Sequence, residues 1–225
     1  MTADARTATP YGYFVTFEGG EGSGKSTLIQ EFADDLRQQG HPDIVITREP
    51  GGSPTLGPVI REILLGNNTG IPLTPWAEAL LFAAERAQHV EEVVRPVLNR
   101  GGIVLCDRYI DSSVSYQGVG RGLGEMKVRR ISTWGTKNLN PDWSVLLDLD
   151  PEIGLARRGA ASDMNRLDRE TLQFHTTIRE ALLSIAHQDS KRWSIIDAAP
   201  PLPVVHESIL AAWNERQSKN SLRLP

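Results

Sequence analysis

The chain has 225 residues, 40% of them hydrophobic, and carries a formal net charge of −4 at pH 7, with a sequence pI near 5.8. This length and composition suffice for one α/β domain with a sizeable core, and no Pro- or Ser-rich linker divides the chain. Because Lys and Arg are spread along an acidic chain, the composition excludes the basic surface of a protein that binds polymeric nucleic acid.

The sequence further predicts a cytoplasmic protein with no membrane contact. No stretch approaches 18 uncharged apolar residues, and residues 1–10 are small and polar without the apolar region of a signal peptide. Cys106, the single cysteine, lies in an apolar run and is predicted to be a core residue rather than a catalytic thiol. We expect one domain over residues 11–217, with flexible tails at 1–10 and 218–225.

Apolar, β-branched runs alternate with helical patterns along the chain. The predicted strands are Tyr13–Phe17, Ile44–Thr47, Ile103–Cys106, Val145–Leu149 and Ser194–Ile196. The predicted helices are Lys25–Gln39, Leu56–Leu65, Trp76–Leu98, Met126–Asn138, Glu152–Arg158, Arg169–His187 and Val204–Glu215. This alternation predicts an α/β fold of three layers, with helices on both faces of a doubly wound, five-stranded parallel sheet.

The turn between the first strand and the first helix matches the P-loop pattern G-x-x-x-x-G-K-[ST] at every fixed position. Its glycines allow backbone N–H groups to point at phosphate oxygens, and the helix N-terminus adds partial positive charge. Lys25 is expected to reach the β- and γ-phosphates of ATP, and Ser26 to bind Mg²⁺. The predicted ATP-binding residues are Gly19, Gly20, Glu21, Gly22, Ser23, Gly24, Lys25, Ser26 and Thr27.

Charged residues follow the strands at the edge where ligands of such sheets gather. Asp107 ends the third strand and is predicted to bind Mg²⁺, with a helix N-cap as the alternative, and Glu18 is a further candidate for the metal. Arg48 and Arg108 also follow strands. Two arginines near a triphosphate site suggest a second phosphate, belonging to an acceptor of the γ-phosphoryl group.

Three segments resemble signature segments of the bacterial thymidylate kinase family. They are Arg48-Glu49-Pro50-Gly51-Gly52, Phe82-Ala83-Ala84-Glu85-Arg86 and the stretch from Asp107-Arg108-Tyr109 to Gly118. The resemblance covers Tyr13 to about Glu215. It implies a single P-loop kinase domain that transfers a phosphoryl group from ATP to dTMP, with Mg²⁺ as cofactor and a homodimer as the assembly.

The resemblance also implies roles for residues of the acceptor site. Arg48 and Arg108 would hold the dTMP phosphate, and Glu49 would lie near the deoxyribose and the metal. Phe82 would stack on thymine, although its apolar neighbours also fit an ordinary core residue. The base edge and its surroundings would be contacted by Arg86, Ser112, Ser113, Tyr116 and Gln117.

No general base is expected, because a phosphate monoester is mostly dianionic at neutral pH. Members of the family place a basic residue in the phosphate loop or in a mobile lid, and here the loop carries Glu21. The short lid, about residues 157–169, would therefore supply it, with Arg157 and Arg166 preferred over Arg158 and Arg169. The lid departs from the family pattern, because residues 159–164 contain no arginine and Asn165 stands where Asp is usual.

Two alternatives remain at the level of sequence. One is a kinase for another nucleoside monophosphate or a deoxynucleoside, against which the Glu49–Gly52 segment argues. The other is a P-loop regulatory ATPase, which would hydrolyse nucleotide without an acceptor and would leave Arg48, Arg86 and Arg108 without a role.

Overall fold

The computed structural model describes residues 12–66, 71–159 and 164–219. The predicted tail at residues 1–10, the C-terminal residues 220–225 and residues 160–163 of the predicted lid lie outside this description. Ser218 and Lys219, the first two residues of the predicted C-terminal tail, lie in the last helix.

The described residues form one parallel sheet, as the sequence predicts. Its strands are β1 (Tyr13–Gly19), β2 (Ile44–Arg48), β3 (Ile103–Asp107), β4 (Trp143–Asp148) and β5 (Trp193–Asp197). Their order in space is β2-β3-β1-β4-β5. Asp107 pairs with Phe17 of β1 on one side and with Arg48 of β2 on the other, so the carboxyl ends of three strands meet at one edge.

Helices cover both faces of the sheet. They are α1 (Lys25–Gln38), α2 (Gly57–Leu65), α3 (Pro75–His89), α4 (Arg95–Asn99), α5 (Ile110–Ser113), α6 (Glu125–Gly135), α7 (Pro151–Gly159), α8 (Leu172–Gln188) and α9 (Leu202–Lys219). Two π-helical segments, Val90–Val94 and Val114–Gly120, continue α3 and α5.

The predicted helices all exist, with shifted ends. The long helix predicted over Trp76–Leu98 is continuous through its π-helical segment. The helix predicted to reach Asn138 ends at Gly135, because Lys137 and Asn138 take positive φ angles that no helix accommodates. The sequence analysis missed the helical stretch from Ile110 to Gly120.

Alternate strand residues face two separate cores, as period-2 alternation requires. Phe14, Val104 and Cys106 face a core completed by α2, α3, α4 and α8. Val15 and Leu105 face the other core, which α1 and α9 complete. The prediction for Cys106 is confirmed: it is fully buried, and burial raises the pKa of its thiol.

No helix among the described residues is long and apolar enough to cross a membrane.

Candidate active site

A cavity of about 440 Å³ opens at the carboxyl ends of β1, β2 and β3. Every residue predicted for the acceptor site lines it, namely Arg48, Glu49, Phe82, Arg86, Arg108, Ser112, Ser113, Tyr116 and Gln117. Residues 21–27 of the glycine-rich loop and Asp107 line it as well. The predicted residues that are not among the lining residues are Glu18, Gly19 and Gly20 at the end of β1 and in the loop, and Arg157, Arg166 and Arg169 of the lid.

The glycine-rich loop wraps around the ammonium group of Lys25. Lys25 Nζ donates to the carbonyl oxygens of Gly19 and Gly20, at 3.2 and 2.8 Å. Burial and the nearby guanidinium of Arg108 lower the pKa of Lys25. The N-cap of α1, Gly24, has no side chain to bond the first N–H groups of the helix, which leaves these groups for an anion.

Gly22 brings the loop against α7. It takes a φ of +68°, and a Cβ at this position would lie 2.1 Å from the carbonyl oxygen of Gly154. Only glycine therefore allows both the left-handed turn and this approach.

Ser26 and Asp107 form the part of the site that suits a divalent cation. Ser26 Oγ donates to Asp107 Oδ2 at 3.2 Å, and the second carboxylate oxygen of Asp107 is buried without a partner among the described residues. A carboxylate oxygen and a hydroxyl beside a phosphate loop are ligands that Mg²⁺ accepts. The residues present therefore fit the predicted metal.

Glu18 does not fit the same prediction. It is fully buried, and its two carboxylate oxygens accept from Tyr109 N–H and from the hydroxyl of Ser112. Burial, with the nearby carboxylate of Asp111, raises its pKa to about 7. Glu18 therefore supports the start of α5 from below the cavity instead of facing a metal ion.

Arg108 joins the two halves of the cavity. Its guanidinium pairs with Glu21 at 2.7 Å and donates to the carbonyl oxygen of Gly19 at 3.0 Å and to Ser112 Oγ at 3.2 Å. Burial alone would raise the pKa of Glu21, but the guanidinium of Arg108 and the ammonium of Lys25 lower it to about 2. Glu21 is thus ionised, and its ion pair holds the Arg108 side chain in position at the cavity.

The backbone at Arg108 is held in an uncommon conformation. Its φ is +70°, a region in which a non-glycine residue costs about 1–3 kcal/mol unless its surroundings hold it. The Arg108 N–H donates to the carbonyl oxygen of Phe17 on β1 at 2.9 Å, and the thiol of Cys106 on β3 donates to the carbonyl oxygen of Arg108, so both strands fix the turn.

A further arginine at the cavity, Arg61, was missed by the sequence analysis. It lies on α2, donates to the carbonyl oxygen of Pro50 at 2.6 Å, and has its pKa lowered by burial and by the nearby Arg48. Arg48 itself is exposed, lines the cavity and forms no ion pair with the described residues. The only signal for Arg61 was its place in the helix that directly follows the Arg48–Gly52 segment.

At the inner end of the cavity Arg86 is 1% exposed and almost fully hydrogen-bonded. Its Nε donates to Glu49 at 2.6 Å, Nη1 to Ser132 at 3.0 Å, and Nη2 to Ser113 at 2.8 Å and to Tyr109 O at 3.3 Å. A guanidinium has five N–H donors, so one N–H of Nη1 is left for a ligand.

Gln117 and Phe82 complete this inner end. Gln117 Nε2 donates to Glu78 at 2.9 Å, while its Oε1 is buried and has no partner among the described residues. Phe82 lines the cavity and also packs in the core. Part of its surface is therefore available for stacking on a base, and the rest is that of an ordinary core residue.

Both carboxylate oxygens of Glu49 are hydrogen-bonded within the protein. They accept from Arg86 and from the ring of His89, at 2.6 and 2.9 Å, although Glu49 also lines the cavity.

The lid arginines do not lie where the sequence analysis preferred them. Arg157 donates to the carbonyl oxygens of Ala198 and Ala199, at 3.1 and 3.0 Å, and so supports the loop after β5. Arg166 pairs with Glu78 at 2.6 Å and bonds the end of α2.

Arg158 is the lid arginine that lines the cavity, together with Asn165. Its Nε donates to Asp168 at 3.0 Å. Consecutive residues of a helix face different sides, and the sequence alone does not indicate which of Arg157 and Arg158 faces the cavity. Arg169 lies outside the cavity and donates to the carbonyl oxygen of Met164.

Comparison with known proteins gives a consistent result. A family model described as thymidylate kinase matches residues 17–209. The thymidylate kinase of Thermomicrobium roseum is 48% identical over 204 residues, which cover 90% of this chain and 95% of that protein. The thymidylate kinase of Deinococcus radiodurans is 44% identical over 205 residues, covering 91% and 98%. The crystal structure of a thymidylate kinase from Ehrlichia chaffeensis matches with a TM-score of 0.74 and 28% identity, covering 91% of this chain and 100% of that chain.

Proposed function

The chain belongs to the thymidylate kinase family and transfers the γ-phosphoryl group of ATP to dTMP, giving ADP and dTDP for dTTP synthesis, and we propose how its residues carry out this reaction. The observation that supports the assignment best is that the glycine-rich loop and the buried Arg86 and Gln117 line one and the same cavity. Arg108 connects the loop to the α5 side of this cavity, because it bonds Glu21, Gly19 and Ser112.

The acceptor phosphate binds between the two ends, where Arg48, Arg61 and Arg108 converge. Arg61 has its pKa lowered by burial and by the neighbouring Arg48, so gathering these cations has a cost that an anion would relieve. The ion pair with Glu21 fixes the position of Arg108. The planar guanidinium of Arg108 also suits the geometry of a phosphate group.

The inner end of the cavity recognises the base by its hydrogen-bond pattern. The spare Nη1 hydrogen of Arg86 donates to O4 of thymine, and Gln117 Oε1 accepts from N3–H. Cytosine and adenine present a donor and an acceptor in the reverse order and are rejected. Guanine offers the same order as thymine, so the size of the cavity has to exclude it. Phe82 stacks on the ring.

The donor nucleotide binds with its phosphates in the glycine-rich loop. Residues 19–27 supply N–H groups and Lys25 supplies charge to the β- and γ-phosphates. Ser26 and Asp107 would hold Mg²⁺, which would supply positive charge to neutralise the phosphates. The protein needs no general base, because the acceptor phosphate is already nucleophilic at neutral pH.

Arg158, as the lid arginine that lines the cavity, is the cation that meets the transferred phosphoryl group. Arg157 and Arg166 instead hold the lid against the rest of the protein. ATP and dTMP are metabolites of the cytoplasm, where we place the reaction.

We propose a homodimer as the assembly. Large apolar side chains are exposed on α3, where Trp76 and Leu80 lie one turn apart, and on the neighbouring α6, where they are Met126 and Trp134; Trp134 is 86% exposed. Exposed apolar side chains on adjacent helices are typical of a subunit interface.

The test of the reaction is ADP release measured with dTMP, dUMP, dCMP, dAMP and dGMP, with Mg²⁺ or with chelator, and without acceptor. We expect ADP only with acceptor and Mg²⁺, and dTMP as the best substrate. Some use of dUMP is expected, because one methyl contact is worth only about 1–3 kcal/mol. Equal use of several monophosphates would indicate another monophosphate kinase, and ADP release without acceptor would indicate an ATPase.

A further inference from the structure

The amide of Gln117 has two orientations of nearly equal shape but opposite hydrogen-bonding character. In one its Oε1 faces the cavity and accepts a hydrogen bond, and in the other its Nε2 faces the cavity and donates one. The surroundings of the side chain decide between them. Here Nε2 faces Glu78, at 2.9 Å from its Oε1, and Gln117 Oε1 is left buried without a partner among the described residues.

Glu78 is placed so that it can only accept hydrogen bonds. It lies in the first turn of α3, is 2% exposed, and its two oxygens face Arg166 at 2.6 Å and Arg121 at 3.4 Å. Burial alone would raise the pKa of Glu78, but hydrogen bonds from Gln117 and Arg166 lower it overall. An ionised carboxylate has no proton to donate, so the Gln117 amide can face it only with its NH₂ group.

We propose that Glu78 is a specificity-determining positioning residue, which fixes the Gln117 amide with Oε1 toward the acceptor base and thereby selects a pyrimidine with N–H at N3 over cytosine. This inference rests on the proposed contact between Gln117 and the base. Glu78 itself lies behind Gln117 and is not among the residues that line the cavity.

Glu78→Gln tests the proposal with almost no change of shape. The carbonyl of the new side chain is expected to turn to Arg166, its closest donor, so that its NH₂ group faces Gln117. Gln117 then flips, and its own NH₂ group faces the base. A donor at this position repels the N3–H of thymine and bonds N3 of cytosine. The ratio of kcat/KM for dTMP to that for dCMP is expected to fall by at least about tenfold, the worth of one hydrogen bond in a buried site.

Glu170→Gln is the matched control. Glu170 pairs with the same Arg121 at 2.6 Å, whereas the Gln117 amide bonds Glu78, so this variant removes a charge from the network and keeps the amide anchored. We expect its dTMP to dCMP ratio to stay at the wild-type value. A general loss of packing or charge would change the dTMP to dCMP ratio of both variants alike.

A second variant and a second background keep the proposal open to refutation. Should Glu78→Gln fail to fold, Glu78→Asp keeps the charge but draws it out of reach of Gln117, and it is also expected to lower the ratio. In a Gln117→Ala background the effect of Glu78→Gln on the ratio is expected to vanish, because Glu78 acts through Gln117.

The outcomes separate the two proposals. If Gln117→Ala alone leaves the dTMP to dCMP ratio unchanged, the proposed base contact is wrong. If Gln117→Ala lowers the ratio while folded Glu78→Gln or Glu78→Asp keeps it, the base contact stands and the role of Glu78 is overturned. Equilibrium titration of each variant with dTMP and dCMP in the absence of ATP checks that the effect lies in binding of the acceptor.

Discussion

At the scale of single residues, the cations at the cavity differ in whether a carboxylate pairs with them, and this decides what each cation can do. Arg108 is paired with the carboxylate of Glu21, so it is fixed in place. Arg61 donates to a neutral carbonyl oxygen, and Arg48 has no ion pair among the described residues. The positive charge of both is therefore available to bind an anionic ligand. Arg158 is paired with Asp168 at the entrance.

Arg158→Ala is expected to lower kcat by more than it raises either KM, because its charge is used mainly in the transition state. Cationic fingers in related phosphoryl-transfer enzymes are worth about 10³–10⁵ in kcat, so a loss of about a hundredfold or more is expected. Steady-state kinetics at saturating ATP and dTMP give the value.

The neighbouring Arg157→Ala serves as comparison, since Arg157 bonds the loop after β5 and not the cavity. If Arg157→Ala loses kcat and Arg158→Ala does not, the preference drawn from the sequence was right and the assignment to Arg158 is wrong.

Glu18 gives a prediction about pH. Its pKa of about 7 in the folded protein exceeds the ordinary 4.5, so the folded state binds this proton more tightly than the unfolded state does. The resulting stabilisation is fully present below about pH 4.5 and is lost as the pH rises through about 7. Glu18→Gln mimics the protonated form and removes this dependence.

The free energy of unfolding, measured by urea titration between pH 4.5 and 8, should therefore fall in the wild type relative to Glu18→Gln. The expected difference is on the order of 3 kcal/mol across that range. Parallel curves for the two proteins would show that Glu18 keeps an ordinary pKa in the fold.

At the scale of elements, the strands and most helices could be predicted because each has one apolar face. The stretch from Ile110 to Gly120 buries Ile110 and Val114 in a core but also buries polar side chains, several of which line the cavity. Ser112, Ser113 and Gln117 were identified by resemblance to a family, but their placement on one helical stretch could not be predicted from periodicity. Residue pairing across the chain, such as Arg108 with Glu21, is likewise invisible to local patterns.

The contact between the glycine-rich loop and α7 leads to a prediction at this scale. A Cβ on Gly154 would lie 2.3 Å from the carbonyl oxygen of Glu21, so Gly154→Ala pushes the loop from its position. We expect a higher KM for ATP, a nearly unchanged KM for dTMP and a loss of about 1–3 kcal/mol in stability from overpacking.

Gly159→Ala is the control for this change, because Gly159 lies on the same helix and its Cβ would meet no atom of the described residues within 4 Å. Kinetics with varied ATP and thermal unfolding of both variants give the comparison. Equal behaviour of the two would mean that α7 does not hold the loop in place.

At the scale of the whole molecule, the sheet separates two layers with different tasks. The layer of α1 and α9 closes the core behind the glycine-rich loop. The layer of α2, α3 and α8 contributes to the other core, and α3 also supplies Phe82 and Arg86 to the acceptor end of the cavity. The outer face of α3 and the neighbouring α6 carry the exposed apolar side chains, so the proposed subunit interface lies directly behind the acceptor site.

A charge introduced into that face is therefore expected to separate the subunits and to disturb the acceptor site. Leu80→Glu and Trp134→Glu place a carboxylate where an apolar contact is proposed, and burying an unpaired charge is costly. Val204→Glu is the control, because Val204 is 49% exposed on α9, in the opposite layer. Sedimentation velocity should show a dimer for the wild type and for Val204→Glu, and a monomer for the other two.

Because α3 carries Phe82 and Arg86 on its inner side, the monomeric variants should also show a raised KM for dTMP with less change in the KM for ATP. A wild-type monomer at all concentrations, or a dimer that survives both charges, would place the subunit contact elsewhere or remove it.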